Sequence, residues 1–220
     1  MIKIEKNTQP NSLLIYKKSG GDYNSIPRET KSKLRESLIE EQGYVCCYCL
    51  KRIPENKLGL NHTKIEHFKS QTKYPDLDLE YSNLHLACKG NQGNSRINQT
   101  CDTAKSDKDI FHFSLTDNSL KGDILYARDG TVLSRNDEID REINDVLQLN
   151  NDQNLKNARK KVRDGLSNSI KRLNKKGKLS EAILKQKLEN WKCKNNRKHK
   201  EHFPVAVQYL EKKIKRFNSC

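Results

Sequence analysis

Cysteine spacing constrains this chain more than any other feature. Cys46 and Cys49 are separated by two residues in Cys46-Cys47-Tyr48-Cys49, a spacing that lets two thiolates meet one ion in a tight turn, and Cys88 and Cys101 follow. The chain has seven cysteines, an odd count for a disulfide framework. Residues 1–6 have no apolar signal core, and no apolar run approaches the roughly 18 residues of a membrane span. The expectation is a soluble, cytoplasmic protein in a reducing compartment, where C-x-x-C with later cysteines binds metal. Cys47, Cys193 and Cys220 then remain as free thiols. A hydrophobic content of 33% is low for a chain of 220 residues and suits a small metal-tied core joined to a polar helical region.

Other chemistry-bearing residues lie between the cysteines. They are Lys64-Ile65-Glu66-His67-Phe68, then Tyr81-Ser82-Asn83-Leu84-His85-Leu86-Ala87-Cys88, then Cys101-Asp102-Thr103-Ala104-Lys105. This set looks like an HNH (ββα-metal) nuclease core with a four-cysteine zinc site. More closely, it resembles the HNH subunit of Septu-type anti-phage systems and the related retron-associated HNH proteins. In that family a Cys-x-Tyr-Cys knuckle precedes Ile-Glu-His-Phe, an Asn-Leu follows, and Cys-x-Gly-Asn leads to Cys-Asp-x-x-Lys. The matching stretch covers about 60 of the 220 residues, and the flanks resemble the family only in layout.

The resemblance implies an α+β fold: a small zinc-bound ββα-metal core with flanking helices and a basic, mainly helical C-terminal region. It divides the chain into a lead-in and helix over 1–40, the zinc-containing core over 41–115, and a hairpin with basic helices over 116–220. It also implies roles. His67 is the general base, Glu66 and Asp102 hold one Mg²⁺ or Mn²⁺ through hard oxygens, and Asn83 fixes the loop that positions His67. Cys46, Cys49, Cys88 and Cys101 offer soft sulfur that selects zinc, and a closed site of four thiolates is structural. Twelve residues separate Cys88 from Cys101, where many zinc sites have two. Loop-closure entropy grows only as the logarithm of length, and the family carries a similar insertion, so Cys101 is expected as the fourth ligand. Asp102 departs from the His or Asn of the wider family while matching the Septu-like subset.

Charge marks a second region. Residues 151–220 carry 21 Lys/Arg against 6 Asp/Glu, and so hold the entire excess of 15. A polyanion-facing surface fits that asymmetry, with Lys171, Arg172, Lys175, Lys176 and Lys178 as a phosphate-contacting patch; the plainer alternative is a solvated helical face. Lys105 is a candidate for a scissile-strand phosphate or a helix-surface lysine. His62, His85 and His112 are read as core or surface imidazoles. His199 and His202 lack enough carboxylate companions for catalysis.

Periodicity supplies the remaining elements. Residues 1–27 read as an irregular lead-in in which 12–16 form a short strand or anchor. A helix starts at Pro27 and ends before Gly43. Residues 51–60 are a polar connector, and 64–68 the second arm of a β-hairpin. A hairpin over 123–134 turns at Asp129-Gly130. Helices follow, marked by Ile139 to Leu147, Leu155 to Leu173, Ile183 to Trp191, and one with Pro204 in its first turn.

Two functions are compatible with these residues. One is a metal-dependent endonuclease acting on nucleic acid, by resemblance the effector of a defence complex with an ABC- or SMC-like ATPase partner. The other is a non-catalytic zinc module that binds nucleic acid or scaffolds a complex. Zinc-dependent binding alone would not require both carboxylates together with His67. Nothing in the sequence chooses DNA over RNA.

Overall fold

In the computed structural model the described residues are 1–55, 62–120 and 122–218, so Cys220 and part of the 51–60 connector lie outside them. The fold is mixed, with two small antiparallel sheets set among helices. Helix α1 (Asn11–Lys18) occupies the segment expected to be a short strand or anchor. Its apolar run has no strand-like burial: Leu13 is fully buried while Ile15 is 60% exposed. Residues two apart share a face on a strand but diverge by about 200° on a helix, which is the pattern found here. Helix α2 (Arg28–Glu41) starts directly after Pro27 and buries Leu34, Leu38 and Ile39.

The chain then makes the cysteine knuckle and enters β1 (Thr63–His67), which pairs antiparallel with β2 (Leu84–Cys88). The register sets Glu66 opposite His85 and His67 opposite Leu84. Strand β1 is therefore the first arm of its pair, where the sequence suggested a second arm. Its partner arrives after a long connection through 68–83, too far along the chain for a turn signature to reveal. Helix α3 (Cys101–Lys105) follows β2 and packs on it.

Strands β3 (Ile124–Tyr126) and β4 (Val132–Ser134) form the expected hairpin. Gly130 in its turn has φ +92°, and a Cβ there would meet the Lys156 carbonyl at 2.0 Å, so only glycine fits. Helix α4 (Asp137–Arg141) widens into a π turn over Glu142–Val146. Three longer helices complete the fold: α5 (Gln153–Lys175), α6 (Glu181–Lys192) and α7 (Phe203–Phe217).

Two apolar clusters organise these elements. The larger runs from Met1 to Leu155 and includes the cysteine knuckle, the β1–β2 pair, the β3–β4 hairpin and α4. The smaller joins Leu166, Ile170, Leu184, Leu188, Ala206 and Leu210 of the last three helices. Helix α5 spans both clusters. Its Arg159, 2% exposed, ties the first turns of α5 to the core by donating to the carbonyls of Gly130 (2.8 Å) and Leu149 and to Asn150 Oδ1 (3.2 Å).

Candidate metal centres and hydrolytic site

Backbone geometry in the knuckle draws Cys46 and Cys49 together. The Leu50 amide donates to the Cys46 carbonyl at 3.1 Å and the Cys46 amide to Lys51 O at 3.0 Å, with Leu50 in the left-handed region at φ 62°. Cys88 ends β2, and Cys101 opens α3 with φ 56°, its amide held by Leu147 O at 2.9 Å. The loop between them closes at Gly90, whose carbonyl oxygen accepts from Thr100 N at 2.9 Å. A side chain at Gly90 would collide with Thr100 O at 1.9 Å.

All four Sγ atoms lie within 4.8 Å of one another. Three of the edges measure 3.9 Å (Cys46–Cys101), 3.7 Å (Cys49–Cys88) and 3.8 Å (Cys88–Cys101). A tetrahedron of sulfurs about 2.3 Å from a central zinc has edges of about 3.8 Å, so the donor set fits that ion. Burial pushes the Cys46 thiol up, but hydrogen bonds from Cys101, Cys47, Cys49 and Cys88 overcome it and hold it well below the usual thiol range. Cys101 is pushed well above that range by its hydrogen bonds to Cys46, Cys49 and Cys88 and by burial. Cys49 is pushed up too, and a central dication removes this conflict between the thiols. Cys47 is buried outside the set, with its amide on Leu86 O at 3.1 Å, and Cys193 is exposed.

The second cluster lies on the Glu66 face of β1. Glu66 is 1% exposed and accepts from Tyr48 Oη at 2.7 Å and from Lys105 Nζ at 2.9 Å. Asp102, one helical turn before Lys105, accepts from Lys64 Nζ at 2.8 Å. Burial and the adjoining Asp102 carboxylate push Glu66 well above the usual carboxylate range, against Lys105 and Tyr48. Burial would raise Asp102 too, but hydrogen bonds with Glu66 and Lys64 bring it below its ordinary value. Two carboxyl groups this close cannot both ionise freely unless cations neutralise them. Their oxygens fit a hard divalent ion.

Lys105, a candidate phosphate contact from sequence, is 1% exposed, and its ammonium also donates to His67 O at 2.9 Å. It presents no charge to solvent.

His67 follows Glu66 at the end of β1, with Asp102 and Lys105 near enough to act on its charge. Its Nε2 lies 2.9 Å from Asp78 O, and its ring meets Tyr23 edge-on at 4.4 Å between centroids. A carbonyl can only accept, so Nε2 carries the hydrogen and Nδ1 keeps its lone pair. Burial holds the imidazole below its ordinary pKa of 6.5, so the ring is neutral at pH 7. Asn83 is 7% exposed and bridges the loops on either side: Oδ1 accepts from Lys69 N at 2.7 Å, and Nδ2 donates to Lys69 O and Leu77 O, each at 3.0 Å. Asn83 therefore braces the backbone that leads from His67 to Asp78.

Sequence reasoning missed Tyr23, Asp78 and Lys64. Asp78 holds His67 through its carbonyl and takes the Tyr23 amide on Oδ2 at 2.8 Å, so the segment read as an irregular lead-in supplies one wall of the His67 pocket. Tyr48 had a signal, since it sits inside the knuckle motif. The other histidines are placed elsewhere: His62 is exposed, His85 is buried with Phe68 beside it, and His112 Nδ1 meets Glu142 Oε1 at 2.9 Å. His199 stacks on Phe203. Lys171, Arg172, Lys175, Lys176 and Lys178 are all exposed at the end of α5 and in the turn that follows.

A base that works as neutral imidazole is silenced by protonation. With its pKa below 6.5, any activity resting on His67 should hold from pH 8 to below pH 6.5 and fall only as pH drops through the lowered value. A single-turnover pH profile checks this; an acid limb centred above pH 7 would contradict it.

The chain is similar to an HNH endonuclease named from a retron and to a Septu protein. No family model matches the sequence. Two curated proteins do. The candidate HNH endonuclease of retron Vc95 from Vibrio cholerae serotype O1 biovar El Tor is 29% identical over 135 residues, covering 52% of this chain and 62% of that protein. The Septu protein PtuB of Bacillus thuringiensis is 30% identical over 101 residues, covering 42% of this chain and 38% of PtuB. The chain thus spans less than two thirds of each relative's length. No described helix is long and apolar enough to cross a membrane.

Proposed function

We propose that this chain is a metal-dependent endonuclease of the HNH type, hydrolysing phosphodiester bonds of nucleic acid as the effector subunit of a cytoplasmic anti-phage complex. The observation that carries the reading is the pairing on one strand of a neutral histidine with a free Nδ1 and a buried carboxylate that meets Asp102. The β1–β2–α3 order around them is compatible with a ββα-metal core.

In this reading His67 Nδ1 takes the proton from the attacking water. Asp78 O keeps the ring in the correct tautomer and stabilises the imidazolium that forms. Asn83 holds the His67-to-Asp78 loop rigid. Glu66 and Asp102 would hold Mg²⁺ or Mn²⁺, which when bound neutralises phosphate charge and stabilises the leaving oxygen. Tyr48 and Lys105 orient Glu66, and Lys64 orients Asp102. The four cysteines would hold structural zinc. Lys171, Arg172, Lys175 and Lys176 would draw the nucleic acid in, and the partner would be an ATPase of the ABC or SMC-like type, as the sequence resemblance implies.

A second reading has its own observation. Lys105 and Lys64 already pair with the two carboxyl groups, which is how a non-catalytic zinc module would keep them buried. The two separate in a cleavage screen of single- and double-stranded DNA and RNA with Mg²⁺ or Mn²⁺, run with and without the product of an adjacent ATPase gene. The nuclease reading expects cleavage that requires added Mg²⁺ or Mn²⁺. Binding without cleavage under every condition would favour the module.

A further inference from the structure

The β3–β4 turn, α5 and α7 enclose a cleft of about 320 Å³. Five cations line it: Arg128 from the turn, Arg163 from α5, and Lys212, Lys213 and Arg216 from α7. Among the described residues no carboxylate does. Its floor is fixed, because the Gln208 side chain accepts from Tyr126 N at 2.9 Å and donates to Ile124 O at 3.0 Å, locking α7 to the hairpin.

The acidic neighbours are shared with cations outside the cleft. Asp164 pairs with Lys160 at 2.6 Å and reaches Arg163 only at 3.5 Å, and Glu211 turns to Lys192 at 3.2 Å. Among the described residues Arg128, Lys212 and Arg216 form no ion pair. Lys212 and Arg216 stand four residues apart on one helix, where like charges repel. The Tyr209 ring lies under Arg163 at 5.5 Å and Lys213 at 5.9 Å, which holds those two cations in place without neutralising them. Five unneutralised or weakly paired cations in one concavity carry a repulsion that an anionic ligand relieves.

We infer that this cleft seats the phosphodiester backbone of a nucleic-acid strand, with Arg128, Arg163, Lys212 and Arg216 on its phosphates. The inference rests on the proposed nuclease reading for its choice of polyanion. A strand with one charge per nucleotide matches several convergent cations better than a single small anion does. The cleft is also separate from the α5 patch. Arg172 is nine residues from Arg163, two and a half helical turns, and so projects from the opposite side of α5.

The test uses the full-length zinc-loaded His67→Ala chain, so that binding is read without cutting. Fluorescence anisotropy with short labelled single- and double-stranded nucleic acids is followed across salt concentration. Adding Arg128→Gln, Arg163→Gln, Lys212→Gln and Arg216→Gln should weaken binding on the order of 10-fold or more and lower the log–log salt slope by nearly one for each duplex phosphate no longer neutralised. A milder pair, Lys212→Gln with Arg216→Gln, changes only exposed side chains and should move both readouts in the same direction.

Unchanged affinity and slope in a folded pair variant would overturn the proposal, as would a His67→Ala chain that binds no nucleic acid. So would normal binding accompanied by loss of a co-purifying acidic protein, which would make the cleft a protein interface. Absence of cleavage by wild type leaves the binding result standing, and unchanged binding here leaves hydrolysis at His67 standing.

Discussion

Cys49→Ser should be recovered without zinc and without a folded core. Structural zinc bound by four thiolates contributes on the order of 10 kcal/mol to folding, comparable to the entire stability of a domain of this size. The four ligands come from the knuckle, the end of β2 and the start of α3, so losing the ion disconnects three parts of the main cluster together. The remaining sulfurs would lie buried with no dication to settle their charge. Elemental analysis and circular dichroism check the outcome. Zinc-free wild type that is fully folded would refute the assignment, and chelation of wild type should reproduce the mutant.

His67→Ala should lower cleavage by about 10²-fold or more while leaving zinc content and nucleic-acid affinity intact. The ring is half-buried and meets Tyr23 edge-on, so its removal vacates a pocket without touching the four cysteines. The loss should therefore fall on turnover. Neutralising the cleft on α7 should instead lower cleavage through affinity, and the two classes of variant separate by KM against kcat.

The four-cysteine cluster was legible because its chemistry is local and discrete. C-x-x-C followed by two further cysteines is a metal-binding pattern, and Cys101 needed only a closable loop. Leu155, Leu166, Ile170 and their spacing made α5 equally plain, since 23 residues give a helical period time to declare itself. Short segments did not. Five residues at 12–16 fit either period, and packing of Leu13 decided for helix. The pairing of β1 with β2 depends on interactions across the 68–83 connection, where no turn residue announces it. Tyr23 reaches His67 across 44 positions, and the basic cleft gathers side chains from residues 128 to 216. Both are products of tertiary packing, which no window of sequence contains.

One measurement bears most directly on the claim that His67, Glu66 and Asp102 form a hydrolytic centre. It is single-turnover cleavage of labelled nucleic acid by zinc-loaded wild type and His67→Ala, each with the proposed ATPase partner, with Mn²⁺ present and with Mn²⁺ omitted. The account predicts cutting by wild type only when Mn²⁺ is present, and a rate at least about 10²-fold lower in His67→Ala at equal binding. Equal rates in the two proteins, or cutting that survives removal of Mn²⁺, would contradict it.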